Sequence, residues 1–140
     1  MKLTQLSVFV ENKPGQLSLP CKVLAQAGIN ITTLSLSDTQ QYGILRLIIK
    51  DWRKAQAALE KAGCVVNLTE VIALEVADRA GGLAELLEPI EREKINIEYM
   101  YAFTFRRNEK AVMIFRFDDP DRALELLRRH NVKVLGAVDL

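Results

Sequence analysis

Glu11-Asn12-Lys13-Pro14-Gly15-Gln16-Leu17 closes one apolar stretch and opens another, and a weaker copy of it returns as Ala77-Asp78-Arg79-Ala80-Gly81-Gly82-Leu83. Gly15 and Gly81 lie 66 positions apart, and the same offset carries Leu17 onto Leu83, Asn30 onto Asn96 and Ile31 onto Ile97. Further on, Asp51 matches Asp119 and Ala55 matches Ala123 at an offset of 68. The second copy has therefore gained two residues between Ile97 and Asp119, and a hairpin tip is the expected place for them. Self-similarity at such a period means that one structural unit is written twice and fills the chain.

Within the first copy, Leu6, Val8 and Val10 alternate with Thr4, Gln5, Ser7 and Phe9, the period of a strand with one buried face. After Pro14-Gly15 the positions Leu17, Leu19, Val23, Leu24 and Ala27 form a helical stripe that stops at Gly28, with Pro20 in the first turns where it needs no amide partner. Residues 30–37 and 43–49 flank the polar tip Asp38-Thr39-Gln40-Gln41 and read as an antiparallel hairpin. Asp51 caps a helix over residues 52–62, and residues 64–68 make a short strand. Only Thr69-Glu70 separates it from the next strand, residues 71–76.

The second copy repeats this order. It predicts a helix over residues 81–93, a strand over 95–105, a tip at Arg106-Arg107-Asn108-Glu109-Lys110 and a strand over 111–117. Asp118-Asp119-Pro120-Asp121 then starts a helix running to Arg129, and residues 132–138 close as a strand. The fold class is α+β: two tandem ferredoxin-like βαββαβ units, residues 1–69 and 70–140, with antiparallel sheets and helices on one face. Leu34, Leu36 and Ile48, with Tyr99, Met100, Tyr101, Phe103, Phe105 and Phe115, supply more apolar surface than one helical layer covers, so association of sheets is expected to hide it.

Each half, at about 60 to 70 residues, sits near the lower limit for an independent core and is expected to need the other half or a second chain. A hydrophobic fraction of 49% with 26% charged residues belongs to a soluble globular protein, and a net charge of +1 gives no footprint for nucleic acid or an anionic membrane. No apolar run approaches the roughly 20 residues of a membrane span, and no secretory segment precedes the first strand, which points to the cytoplasm. Cys21 and Cys64 lack metal-binding spacing and read as small core residues. Asn30-Ile31-Thr32 and Asn67-Leu68-Thr69 fit a glycosylation pattern that has no meaning without secretion.

Catalytic constellations are missing. His130, the single histidine, follows Arg128-Arg129 at a helix end, where a cation suits the dipole. There is no phosphate loop, no metal-spaced set and no nucleophile-base motif, so the chain reads as a non-enzyme with neither cofactor nor metal. Arg106, Arg107 and Lys110 beside Tyr101, Phe103 and Phe105 suggest a single-stranded nucleic-acid face, but the Gly-Phe-x-Phe core of such sheets is missing, and a charged hairpin tip is the simpler reading.

The strand, the Glu11–Leu17 loop, the helix and the Ala27-Gly28-Ile29-Asn30-Ile31 entry to the second strand together resemble the ACT domain, over nearly the whole chain as a tandem pair. The resemblance implies a regulator of amino-acid metabolism that binds an amino acid or similar small ligand where ACT domains meet. It also implies a homodimer and a regulated partner enzyme. By the same resemblance Asn12, Lys13, Pro14 and Gly15 contact ligand from the loop and Asn30 and Ile31 from the strand, with Asp78, Gly81, Asn96 and Ile97 as their counterparts. Glycine lets a ligand approach the backbone, helix-start amides hold a carboxylate, and an asparagine side chain both donates and accepts. Ala80-Gly81-Gly82 replaces Pro-Gly and Asp78 replaces Asn12, so the two sites are chemically unequal.

Two other readings stay open on the residues: a ligand-free interaction module or regulatory subunit of a biosynthetic enzyme, and a small ferredoxin-like enzyme. Pro-Gly before a helix and Gly-x-Asn after one are, taken singly, ordinary turn and stop signals. Their recurrence at one offset is what sets them apart.

Overall fold

In the computed structural model the alternating patterns become β1 (Leu3–Glu11), α1 (Ser18–Gln26), β2 (Thr33–Asp38), β3 (Tyr42–Ile48), α2 (Trp52–Lys61) and β4 (Val66–Ala77). The chain continues as α3 (Gly82–Arg92), β5 (Ile97–Arg107), β6 (Lys110–Phe117), α4 (Pro120–Arg129) and β7 (Val134–Leu135). The structure describes all residues except 39, 40 and 108, and all side chains except those of 38–40 and 104–108. The centres of both expected tips, and the side chains of Phe105, Arg106 and Arg107, thus lie outside the described residues. The chain divides into a first unit, Thr4–Thr69, and a second, Met1–Leu3 with Glu70–Leu140.

In the first unit β3 pairs antiparallel with both β1 and β2, setting Val8 and Leu36 on either side of Leu45. Helices α1 and α2 cover this face through Leu24, Ala55 and Leu59, which join Leu6, Val8, Leu45 and Leu47 in one core. Asp51 caps α2, its Oδ1 accepting the Lys54 N–H at 3.2 Å. In the second unit β6 pairs antiparallel with β4 and β5, and β7 pairs with β4. Leu86 and Ile90 of α3 and Leu126 and Leu127 of α4 close over Leu74, Val76, Phe115 and Phe117. Asp119 caps α4 as Asp51 caps α2, with Pro120 at the first helical position. Both units are therefore antiparallel sheets with two helices on one face.

Several expectations are corrected. The strands foreseen over 64–68 and 71–76 are one element, β4, because Thr69-Glu70 contains neither glycine nor proline to turn the chain. The closing strand shrinks to Val134–Leu135, because the Asp139 Oδ2 accepts the Gly136 N–H at 2.8 Å and bends the chain into a 3-10 turn over Ala137–Asp139. The two extra residues of the second copy enter within β5 rather than at the tip. Ala102 faces Met113 and Arg106 faces Ala111, so β5 advances four residues while β6 advances two.

Burial also departs from the simple patterns. Gln5 and Ser7 are buried together with Leu6 and Val8, and the Gln5 amide donates to the Ser7 hydroxyl at 3.0 Å, so β1 is covered on both faces. Leu17 and Leu19 leave the α1 core stripe for the surface, while Pro20 and Leu24 are the buried positions of that helix. Of the apolar excess, Ile48, Phe103 and Phe115 are buried, whereas Leu34, Leu36 and Met100 are exposed. Cys21 and Cys64 are free, half-buried thiols, and burial pushes the Cys64 thiol pKa up. Among the described residues no helix is long and apolar enough to cross a membrane.

Candidate functional site

The loop between β1 and α1 is shaped by its own backbone. The Lys13 N–H donates to the Glu11 C=O at 2.9 Å, the Gln16 N–H to the Lys13 C=O at 3.3 Å, and the Asn12 N–H to the Gln41 C=O at 3.1 Å. Gly15 takes φ +85°, a left-handed conformation that L side chains resist, and the Ser18 hydroxyl donates to its carbonyl at 2.9 Å. Helix α1 then starts with no side chain capping its first amides and no acid in its first turn. Such a start attracts anions through its unpaired N–H groups and dipole.

Val10, Glu11, Asn12, Lys13, Pro14, Gly15, Leu17, Leu36 and Gly43 line a cleft of about 430 Å³. Four of the ten residues singled out in the sequence, Asn12, Lys13, Pro14 and Gly15, therefore meet in one place. Glu11 and Lys13 pair with each other at 3.0 Å on the exposed rim. Leu36 and Gly43 were not anticipated as lining. Gly43 permits a close approach, since a Cβ there would lie 3.2 Å from both Leu36 Cδ1 and Val10 Cγ2. An isolated glycine heading a run of branched residues was the available signal.

Asn30 lies elsewhere in the same unit. With Gly28, Ile29, Thr32, Ile49, Lys50, Asp51 and Lys54 it lines a separate hollow of about 270 Å³ at the start of α2, while Ile31 packs against the core. Within the first unit, then, the loop and the strand entry line two different hollows.

The second unit builds the same turns with different chemistry. Gly81 takes φ +84° at the N-cap of α3, but Gly82 is wedged so closely that a Cβ there would stand 2.0 Å from the Ala77 carbonyl oxygen. Glu85, in the first turn of α3, receives the Arg79 guanidinium at 2.6 Å. Asp78 is exposed on this loop. The Asn96 N–H donates to Asp118 Oδ1 at 3.1 Å and its C=O accepts the Asp118 N–H at 3.1 Å, so the strand entry is tied by an aspartate where the first unit has Lys50. Arg122, at the position of Lys54, donates to the Glu93 C=O at 2.5 Å. Ile97 packs against the core. Gly82 and Glu85 face a wider hollow of about 480 Å³ that also carries Arg92, Lys110, His130 and Lys133. Among the described residues no three His, Cys, Asp or Glu side chains are placed to hold a metal ion.

Two βαββαβ units, each with a left-handed glycine between its first strand and first helix, define a tandem ferredoxin-like architecture. The chain belongs to the ACT domain family: the family description of an ACT domain pair matches residues 1–140. It is 37% identical to a Bacteroides thetaiotaomicron protein of known crystal structure, with a TM-score of 0.92 over 99% of this chain and 95% of that one. The regulatory subunit of aspartate kinase from Thermus flavus shares the fold at 18% identity and a TM-score of 0.62, covering 89% of this chain and 88% of that one. The corresponding Thermus thermophilus subunit, in a ligand-free form, gives 15% identity and a TM-score of 0.63 over 90% and 91%. No curated protein matches the chain.

Proposed function

We propose that this ACT domain pair, with domains at residues 1–69 and 70–140, is a non-catalytic regulatory protein of the cytoplasm. It binds an amino acid at the β1–α1 loop of the first unit and passes occupancy to an enzyme of amino-acid metabolism. One observation supports the reading above the others. Asn12, Lys13, Pro14 and Gly15, the loop contacts that the family resemblance implies, line a 430 Å³ cleft at a helix start that no side chain caps. That volume falls within the roughly 300–1,000 Å³ of small-molecule sites. Helix-start amides suit a carboxylate, and the Asn12 side chain can accept from an ammonium. The fold shared with subunits named as regulators of aspartate kinase makes a biosynthetic kinase the first partner to try.

The homodimer belongs to the same proposal. Strand β2 is the outermost of its unit, and its open edge offers hydrogen-bonding groups to a second copy, whose Asn30 would complete the ligand contacts. Isothermal titration of the twenty amino acids into wild type and Asn12→Ala tests the ligand: we expect binding to wild type that weakens in the variant. Absence of binding to wild type removes the sensor reading. Light scattering tests the dimer.

A ligand-free interaction module is the second reading, favoured by the exposed Leu19, Val65 and Leu68 of the first unit. A stoichiometric enzyme that co-purifies with the chain, with no shift in melting temperature on adding amino acids, would support it.

A further inference from the structure

We infer that the cleft of the first unit selects an amino acid with an apolar side chain, and that Leu36, placed by the open position at Gly43, is the residue that enforces the choice. The inference rests on the amino-acid reading just proposed and narrows its ligand class.

The cleft has two chemically distinct parts. Along the β1–α1 loop it offers the backbone at Gly15 and the Asn12 side chain, which suit the carboxylate and ammonium shared by all amino acids. The rest of the described lining is hydrocarbon: Val10, Leu17, Leu36 and the bare Cα of Gly43. The ionisable lining groups, Glu11 and Lys13, are already paired with each other at 3.0 Å on the rim. Among the described residues, a ligand side chain that carries charge or a hydroxyl would lose water against this wall and meet no unpaired opposite charge there, whereas a branched or aromatic chain gains contact.

Gly43 matters because it leaves room. Its missing Cβ lets Leu36 Cδ1 and Val10 Cγ2 converge over the strand, each 3.2 Å from where that carbon would stand. The register of the second unit shows the contrast. Val76 faces Ala111 as Val10 faces Gly43, and Ala102 faces Met113 as Leu36 faces Leu45. The second unit thus has alanine at both positions and lacks the leucine wall.

The test is isothermal titration of the full chain with leucine, methionine, phenylalanine, serine, lysine and glutamate, repeated on Leu36→Asn and Leu17→Asn. Both leucines are partly exposed, so substitution disturbs no core; circular dichroism checks the fold of every variant and light scattering checks that each keeps its association through β2. Leu34→Asn, on the same strand and face but outside the lining, is the control. We expect one of the apolar amino acids to bind at least about ten-fold more tightly than serine, lysine or glutamate. Leu36→Asn should narrow that ratio to below about three-fold, with a smaller effect from Leu17→Asn, and Leu34→Asn should leave it intact; an unchanged ratio in Leu36→Asn overturns its role. Preferential binding of a polar or charged amino acid overturns the apolar selection but leaves the sensor reading standing. An equal loss in Leu34→Asn overturns the role of Leu36, and failure of every amino acid to bind overturns both.

Discussion

Gly15 and Gly81 hold the same left-handed backbone, φ +85° and +84°, at the same point of two loops 66 residues apart. Beyond its chain neighbours, no atom of the described residues lies within 4 Å of where a Cβ at Gly15 would stand, and at Gly81 the nearest is Glu85 Oε1 at 3.9 Å. Alanine at either position therefore meets strain in the backbone alone, and each substitution should cost about 1–2 kcal/mol in urea unfolding. Gly82→Ala should cost more, about 3 kcal/mol or above, because the added carbon would meet the Ala77 carbonyl at 2.0 Å. Equal losses at Gly15 and Gly82 would contradict this ordering.

Asp51 and Asp119 perform the same task at the starts of α2 and α4, accepting the N–H three residues on at 3.2 Å and 3.1 Å. Asp51→Ala and Asp119→Ala should each destabilise by about 1 kcal/mol, read as a lower urea midpoint at an unchanged m-value. Asparagine at either position should recover most of the loss, since it keeps the accepting oxygen.

The Arg79–Glu85 pair lies across the second loop at 2.6 Å, with both side chains more than half exposed. For stability it is a surface ion pair worth under about 1 kcal/mol, so Arg79→Ala should unfold nearly as wild type, with the difference shrinking in added salt. For binding it places a carboxylate in the first turn of α3, where a ligand carboxylate would otherwise sit. Titration should therefore saturate at one amino acid per chain, and two equivalent sites per chain would show that the pair does not close the second loop.

Lys2 lies between Glu70 at 2.7 Å and Asp121 at 2.9 Å, and hydrogen bonding first to Glu70 and then to Asp121 raises its pKa above 10.5. A raised folded-state pKa means that the protonated form stabilises the fold. That contribution is fully present below pH 10.5 and is lost as pH rises through the higher folded-state value. The stability gap between wild type and Lys2→Met should accordingly be flat from pH 7 to 10 and close above it. A gap that widens with pH would reverse the assigned sign.

Much of the fold was legible before any coordinate. The strand-helix order of each half follows from periodicity, Asp51 and Asp119 announce their helices, and the joint recurrence of Gly15 and Asn30 as Gly81 and Asn96 reveals the duplication. Boundaries were less legible. Nothing local says that Thr69-Glu70 continues a strand, or that Asp139 turns back onto the Gly136 amide. The cleft was half visible: its loop wall is contiguous in sequence, but Leu36 and Gly43 reach it only through strand pairing.

The amino-acid sequence by itself determined the duplicated architecture, the left-handed glycines and the capped helix starts, because each depends on a residue's own conformational preferences and those of its near neighbours. Tertiary structure alone decided that Asn12 shares a cleft with Leu36 while Asn30 lines a different hollow, that two extra residues are absorbed inside β5, and that Glu85 meets Arg79 at the second loop. These depend on which strands pair, in what register and which helix lies above them, and such contacts join residues that no local pattern brings together.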